Sequence, residues 1–142
     1  MRKLLLTTSA ILFSQFILSQ ANTIKDKQGI IKVCDQFMQT FKERKFYDAV
    51  QLLKVYSVID SDVIDTLSST VEKQMGRTGA YGKILSYDFL FDKTIKDYLI
   101  KKFYALRFEK YMLKFSFTFY FNDNEWKITH FNFDEELDEL LK

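Results

Sequence analysis

The clearest pattern in the chain is a strict alternation of large apolar residues with other residues just before residues 122–125. Before them, large apolar side chains occupy every second position: Leu113, Phe115, Phe117, Phe119 and Phe121. A period of two is typical of a β-strand with one buried face. Residues 122–125, Asn-Asp-Asn-Glu, carry turn-forming side chains. The stretch from residue 111 to residue 133 is therefore predicted to form a long β-hairpin.

The length of the hairpin loop decides which side chains share a face of the sheet. A loop of two residues, or of four, gives the same three cross-strand pairs: Phe121–Trp126, Phe119–Ile128 and Phe117–His130. A loop of three residues would move every side chain to the other face. On the favoured register, His130 lies on the aromatic face, and Phe131 and Phe133 lie on the opposite face.

Apolar positions three and four residues apart predict helices in the first half of the chain. A first helix extends from about residue 28 to residue 44, and its apolar stripe is Ile30, Ile31, Cys34, Phe37, Met38 and Phe41. A shorter helix is predicted at about 46–54. A third begins at an N-cap, Asp60 or Ser61, and ends near Met75. Its inward-facing residues are predicted to be Val63, Ile64, Leu67 and Val71.

After Lys83 the pattern changes to that of strands. We predict a first strand at about 84–91, a turn at 92–94 and a long second strand at about 96–109, irregular near Lys101 and Lys102. The hairpin supplies the third and fourth strands.

The last residues, 134–142, predict a short acidic helix with leucines on one side. The fold class is therefore α+β: N-terminal helices packed on a curved antiparallel sheet of about four strands, with a short C-terminal helix.

The N-terminus has the pattern of a secretory signal peptide. Arg2 and Lys3 precede an apolar run from residue 4 to residue 18, and small side chains follow at Ser19 and Ala21. The run is too short and wrongly flanked for a stable membrane span. We expect residues 1–21 to be a signal peptide, cleaved after Ala21 or Gln20. Residues 22–142 would then be one exported domain, periplasmic or secreted, without a membrane span.

Charge and cysteine content restrict the class of protein further. Without Arg2 and Lys3, the 21 basic side chains become nineteen, which equals the 19 acidic ones. The positive net charge thus belongs to the signal peptide and does not indicate nucleic-acid binding. The single cysteine, Cys34, cannot form an internal disulfide, so packing alone must hold the fold.

Four groups of residues have both a chemical and a structural interpretation, and we favour the structural one for each. Cys34 lies on a helix stripe, which favours a core residue over a reactive thiol. The carboxylates of Asp60, Asp62 and Asp65 suit the positive end of a helix dipole better than a cation site. Residues 76–82 hold three glycines after a helix, which favours a helix C-cap and flexible connection over a phosphate-binding loop. Basic residues of the second and third strands are expected to form a solvated outer face: Lys101, Lys102, Arg107, Lys110 and Lys114.

Three segments carry a resemblance to a known superfamily. They are residues 41–50 (Phe-Lys-Glu-Arg-Lys-Phe-Tyr-Asp-Ala-Val), residues 72–82 (Glu-Lys-Gln-Met-Gly-Arg-Thr-Gly-Ala-Tyr-Gly) and residues 126–129 (Trp-Lys-Ile-Thr). With helices first and a strand meander afterwards, residues 28–133 resemble a small exported bacterial member of the nuclear transport factor 2-like (cystatin-like) superfamily, in its uncharacterised-domain branch. The resemblance implies a cone-shaped fold with a pocket between sheet and helices. In that superfamily the pocket serves isomerases, dehydratases, oligomerising domains and modules without a known ligand, so fold alone is a poor guide to function.

The chain contains few of the residues that catalysis requires. With one histidine and one cysteine, a zinc site would need carboxylates to complete it, and we predict no metal and no cofactor. His130 is the only imidazole base and the only catalytic candidate. Isomerase-type relatives use a carboxylate base and a tyrosine donor, but no acid matches by motif any of the tyrosines that could supply the phenol: Tyr47, Tyr56, Tyr81 and Tyr87.

Two functions remain, of which we favour the first. A non-enzymatic module would bind a small apolar molecule or a protein partner through the conical pocket or a sheet face. The alternative is a small isomerase, dehydratase or hydrolase that acts in the cone. The predicted pocket residues are Phe117, Phe119, Trp126, Ile128 and His130. Homodimerisation through the open sheet face is compatible with either function.

Overall fold

Helices precede strands throughout the computed structural model, which describes residues 22–142; the predicted signal peptide at residues 1–21 lies outside them. The helices are α1 (Lys27–Lys42), α2 (Phe46–Gln51), α3 (Leu53–Tyr56), α4 (Ser61–Gly76) and the 3₁₀ helix η1 (Thr78–Tyr81). The strands are β1 (Ile84–Ile95), β2 (Leu99–Phe108), β3 (Met112–Phe121) and β4 (Trp126–Asp134). The prediction of an α+β fold with helices before a four-stranded antiparallel sheet is confirmed.

Helix α1 provides one side of the core. It begins where the Asp26 carboxylate accepts a hydrogen bond from the Gly29 backbone N–H at 2.8 Å. Its buried residues are Ile30, Val33, Cys34, Phe37, Met38 and Phe41. Ile31, predicted on this stripe, is exposed. The stripe is centred on Ile30 and Cys34, so Val33 lies at its border and Ile31 falls outside it.

Helix α4 packs against the two short helices α2 and α3. The Asp60 carboxylate caps it by accepting a hydrogen bond from the Asp62 N–H at 2.8 Å. Asp65 accepts from Gln51 Nε2 at 2.9 Å and pairs with Lys54 Nζ at 2.6 Å, and both interactions join α4 to its neighbours. The predicted inward residues are Ile64 and Val71, both buried, Leu67, half-buried, and Val63, which is exposed, contrary to prediction.

The sheet is open and has the order β1-β2-β3-β4, with each neighbouring pair antiparallel. β1 continues to Ile95, so the turn falls at residues 96–98 and not at 92–94 as predicted. Asp92 remains in the strand because it lies opposite Lys102 and pairs with its Nζ at 3.2 Å. The irregularities of this hairpin lie in β1, at Leu85 and Leu90, and not at residues 101–102.

The β3–β4 hairpin contains a β-bulge that the sequence analysis did not anticipate. Beyond the four-residue loop, the predicted pairs Phe121–Trp126 and Phe119–Ile128 are both present. Thr129 is then an extra residue, and the next pair is Thr118–His130. The predicted pairing of Phe117 with His130 is therefore wrong, because Phe117 lies opposite Phe131.

The bulge changes the composition of the core. Phe131 and Phe133, predicted on the outer face, turn towards the helices, and His130 turns away and is exposed. The ring centroid of Phe131 lies 5.0 Å from that of Phe37 in α1 and 5.3 Å from that of Phe117. The helix-facing side of β3 and β4 is thus a continuous array of rings, in which edge-to-face contacts add to the burial of apolar area.

The C-terminal residues do not form the predicted helix. β4 extends to Asp134, and the residues beyond it contain a turn at 138–140. A nine-residue helix is marginal without a buried face, and Glu135 and Glu139 would repel one another four residues apart. Instead, Glu139 accepts hydrogen bonds from Lys101 Nζ at 3.2 Å and Lys114 Nζ at 3.0 Å. Residues 135–142, here called the C-terminal segment, are thereby attached to the outer face of the sheet.

The outer face of the sheet is buried in part. Phe103, Lys114 and Ser116 project from that face, away from the helices, yet all three are buried. The C-terminal segment also contains two half-buried leucines, Leu137 and Leu140. The expected solvated basic face is therefore wrong for Lys114, and also for Lys102, which is buried on the helix-facing side.

Candidate functional site

The residues predicted to line a pocket are divided between the core and the outer face of the sheet. Phe117, Phe119, Trp126 and Ile128 are all buried members of the core. His130 is exposed on the other face, where its Nδ1 lies 3.0 Å from Thr129 Oγ1. The four apolar residues are brought together, and the imidazole is separated from them by the bulge.

The depressions on the surface of residues 22–142 include three of about 250 to 460 Å³, none of which is lined by those five residues. One of about 460 Å³ is a shallow groove along α4, lined by Asp62, Val63, Thr66, Leu67 and Thr70. One of about 250 Å³ lies between the first described residues, α1 and Tyr56. The third, of about 300 Å³, combines an apolar floor with a polar rim. Such a combination is the usual character of a small-molecule site.

This third depression, here called the α4–η1 cleft, lies between the end of α4, η1 and the adjoining ends of β3 and β4. Its floor consists of Met75, Leu113 and Phe133. Met75 and Leu113 are buried, and the ring of Phe133 stacks at 5.5 Å on that of Phe115. Its rim consists of Gln74, Arg77, Tyr81, Asp134 and Glu135. The floor is therefore continuous with the aromatic core.

Tyr81 and Glu135 form the most specific contact of the rim. The Tyr81 hydroxyl donates a hydrogen bond to Glu135 Oε1. That hydrogen bond, together with burial and the negative charge of Glu135, raises the pKa of Tyr81. The Tyr81 ring stacks on Tyr111 at 5.1 Å and meets the edge of Phe108 at 5.6 Å. The phenol is therefore held protonated and in a fixed orientation beside the cleft.

Gly82 determines where Tyr81 lies. Its φ of 83° and ψ of −159° belong to a region that L side chains rarely adopt. A Cβ at this position would stand 2.3 Å from Glu109 Oε2. The same carboxylate accepts the Lys83 N–H at 2.9 Å, and the Tyr81 carbonyl accepts the Lys110 N–H at 3.0 Å. The connection after α4, which was predicted to be flexible, has the conformation of a 3₁₀ helix followed by a tightly packed glycine.

The charged groups around the cleft differ in whether they have a partner within residues 22–142. Asp134 pairs with Lys114 Nζ at 3.2 Å, and Glu135 accepts the Tyr81 hydroxyl. Within residues 22–142, the guanidinium of Arg77 forms no ion pair or side-chain hydrogen bond, and it is exposed on the rim. Arg77 is therefore the charged group of the cleft that remains available to a ligand.

The sequence analysis missed this cleft for two reasons. It placed Tyr81 among four tyrosines without an acid, because Glu135 lies 54 positions later, in a segment predicted to be helical. It also placed Phe133 on the outer face. The apolar spacing of β4 contained a signal for the correction: Trp126 and Ile128 are two apart, but Phe131 follows after three residues, as a one-residue bulge requires.

A second polar group lies buried in the core, between α1 and β2. Burial raises the pKa of the Cys34 thiol to about 12, against a hydrogen bond from Tyr104 and the charge of Lys102, which both lower it. Burial likewise raises the pKa of Tyr104. Cys34 is therefore a thiol at physiological pH, as its place on the helix stripe predicted.

Comparison with protein-family models, with curated proteins and with solved structures gave no match for this chain. Among the described residues, no helix is both long and apolar enough to cross a membrane. No group of three or more histidine, cysteine or acidic side chains in residues 22–142 is arranged to hold a metal ion. Among the described residues, the α4–η1 cleft is the feature from which a function can be inferred.

Proposed function

We propose that the protein is an exported binding module that holds a small amphipathic molecule in the α4–η1 cleft. The observation that supports this function most strongly is the composition of the cleft: an apolar floor of Met75, Leu113 and Phe133 beneath an unpaired Arg77. The ligand class is a small molecule with an apolar body and an anionic head. Its body would replace water over the floor, and its head would bind the guanidinium.

A binding module agrees better with the rim than an enzyme does. Tyr81 and Glu135 are the phenol and carboxylate that an isomerase of the resembled superfamily would need. In this cleft, however, they satisfy one another, because the phenol already donates its hydrogen bond to the Glu135 carboxylate. His130 lies on the other face of the sheet. The proposal includes membership of the nuclear transport factor 2-like superfamily, the cone shape and export through residues 1–21.

Decanoate is a suitable probe, because it carries a carboxylate on an unbranched apolar chain. We expect isothermal titration to detect its binding, and NMR to show shifts concentrated at Arg77, Tyr81 and Leu113. Substitution Arg77→Gln removes a charge-assisted hydrogen bond and should weaken binding by roughly tenfold or more. Arg107→Gln is the matched control, since Arg107 is exposed on the opposite face of the sheet and bonds Ser86 Oγ at 3.3 Å.

Decylamine, with the opposite charge on the same apolar chain, tests the assignment of the head group. Decanoate should bind more tightly than decylamine. Tighter binding of decylamine would show that Glu135 recognises the ligand and that the anionic class is wrong. If neither probe shifts the cleft residues, or if Arg77→Gln and Arg107→Gln weaken binding equally, the cleft is not the binding site.

A further inference from the structure

The two edges of the sheet differ in how they are protected. At the β4 edge, Trp126 N–H donates to the Ile24 carbonyl at 2.8 Å, and Val58 N–H donates to the Ile128 carbonyl at 3.0 Å. At the β1 edge, no backbone hydrogen bond joins residues 84–95 to any part of the described chain other than β2. The outward backbone groups of this twelve-residue strand therefore have no backbone partner within residues 22–142, although α1 also contacts β1.

The open edge also carries exposed apolar side chains. Four of them lie along β1: Leu85 (48% exposed), Phe89 (50%), Leu90 (37%) and Ile95 (57%). Long edge strands of this composition are used for strand addition by a partner. Two of the four, Leu85 and Leu90, are the extra residues of the two bulges, and the strand between and beyond them remains regular.

We propose that the β1 edge pairs antiparallel with the β1 edge of a second copy, which joins the two sheets into one of eight strands. We place the two-fold axis between Leu90 and Phe91, so the two residue numbers of every facing pair add up to the same value. Asp88 then lies opposite Lys93 of the second copy, and symmetry forms this charge pair twice. The same register places Ser86 opposite Ile95, Tyr87 opposite Thr94 and Phe89 opposite Asp92 of the second copy.

Two features of β1 select this register. Asp88 lies opposite Ala105 and Lys93 opposite Lys101, on the outer face of the sheet, so both charges project on the same side. With the two-fold axis at Leu90, Asp88 would instead face Asp92, a like charge whose side chain projects on the helix-facing side. A second copy is the partner that this edge fits, because the strand is complementary to itself in both charge and face.

The charge pair allows a test by charge exchange. We expect the protein to have twice the mass by light scattering that it has by denaturing mass spectrometry. Asp88→Lys and Lys93→Asp each create two like-charge pairs and should weaken the dimer by about tenfold. The double variant D88K/K93D exchanges the charges and should restore affinity to within about threefold of the original. Glu72→Lys, on the exposed side of α4, is the matched control and should have no effect.

Disulfide formation provides a second test, which does not depend on a difference in affinity. Ser86 and Ile95 are nine residues apart, about 30 Å along one strand, so cysteines there cannot meet within a chain. The variant S86C/I95C should therefore give a covalent dimer under mild oxidation. A monomer at all concentrations, a dimer that resists both single charge reversals, failure of the double variant to restore it, or no crosslink would each overturn the proposal.

Discussion

At the scale of single residues, Gly82 shows how one position controls a site. Substitution Gly82→Ala places a methyl group 2.3 Å from Glu109 Oε2 and requires φ of 83° from a residue with a Cβ. We expect the free energy of unfolding to fall by about 2–4 kcal/mol, measured by urea denaturation. The same variant should weaken decanoate binding, because Tyr81 precedes the glycine in the rim.

Gly79→Ala is the control for this effect. Gly79 belongs to the same 3₁₀ helix, its φ is not positive, and a Cβ there would meet nothing within 4 Å. Its stability should stay within about 0.5 kcal/mol of the original. Equal losses for the two glycines would show that general backbone stiffness, and not the conformation at Gly82, is responsible.

Cys34 illustrates a residue whose chemistry is suppressed by its surroundings. With a pKa of about 12 in place of 9.0, its thiolate fraction at pH 8 is about a thousandfold below that of a free cysteine. We expect a thiol reagent such as dithionitrobenzoate to react at a rate limited by unfolding, and to react at once in strong denaturant. Rapid labelling of the folded protein would contradict the burial of Cys34.

At the scale of elements, the attachment of the C-terminal segment should depend on pH. The hydrogen bond from Lys114 lowers the pKa of Glu139. Burial of the carboxylate raises that pKa, and the hydrogen bond from Lys101 lowers it further. A lowered carboxyl pKa stabilises the fold above the unfolded value, and that stabilisation is lost as pH falls through the folded value. Burial opposes the charge of Lys114, but its bonds with Glu139 and Asp134 raise its pKa overall.

The stabilisation that Lys114 provides is lost at high pH, whereas that of Glu139 is lost at low pH. A raised lysine pKa stabilises the fold below the unfolded value of 10.5, and that stabilisation is lost as pH rises through the folded value. The segment should therefore be attached fully between about pH 4.5 and 10.5, and NMR signals of Leu137 and Leu140 should become mobile outside that range. Signals that remain unchanged well below pH 4 would show that the ion pairs do not hold it.

Substitutions in the C-terminal segment distinguish the contribution of the Glu139 ion pairs to stability from that of the rest of the segment. Glu139→Gln removes the charge that bonds Lys101 and Lys114 and should lower the free energy of unfolding by about 1 kcal/mol. Glu136→Gln, in the same exposed segment but without an ion pair, should change it by less than about 0.5 kcal/mol.

Elements with a strong period were predicted well from the sequence, and their boundaries less well. Apolar stripes identified α1 and α4, and alternating rings identified the hairpin, because burial of one face dominates the energetics of each element. The extension of β1 beyond Asp92 was missed, since it depends on a partner, Lys102, in another strand. The prediction of a C-terminal helix was wrong for a similar reason. Glu139 pairs with lysines on the sheet, and local periodicity carries no information about such distant pairs.

At the scale of the whole molecule, the class of fold followed from the order of elements, but the site did not. The predicted pocket residues Phe117, Phe119, Trp126 and Ile128 are core, and the cleft lies at the end of the array that they form. Its members come from α4, η1, β3 and β4, together with Arg77 between the two helices and Glu135 after the last strand. A site assembled from such distant segments has no local motif, so only the tertiary arrangement brings its polar groups together.

The extra residue at Thr129 has a consequence for how this hairpin tolerates changes in length. Only residues 126–128 separate it from the loop, so the bulge divides β4 into a short and a longer part. The loop length decides which face each side chain of the short part occupies, and packing against the helices decides this for the longer part. Deletion of one residue in the loop can be compensated by loss of the bulge, and only the short part must then exchange its faces. The ring array beyond it is thereby insulated from variation at the tip.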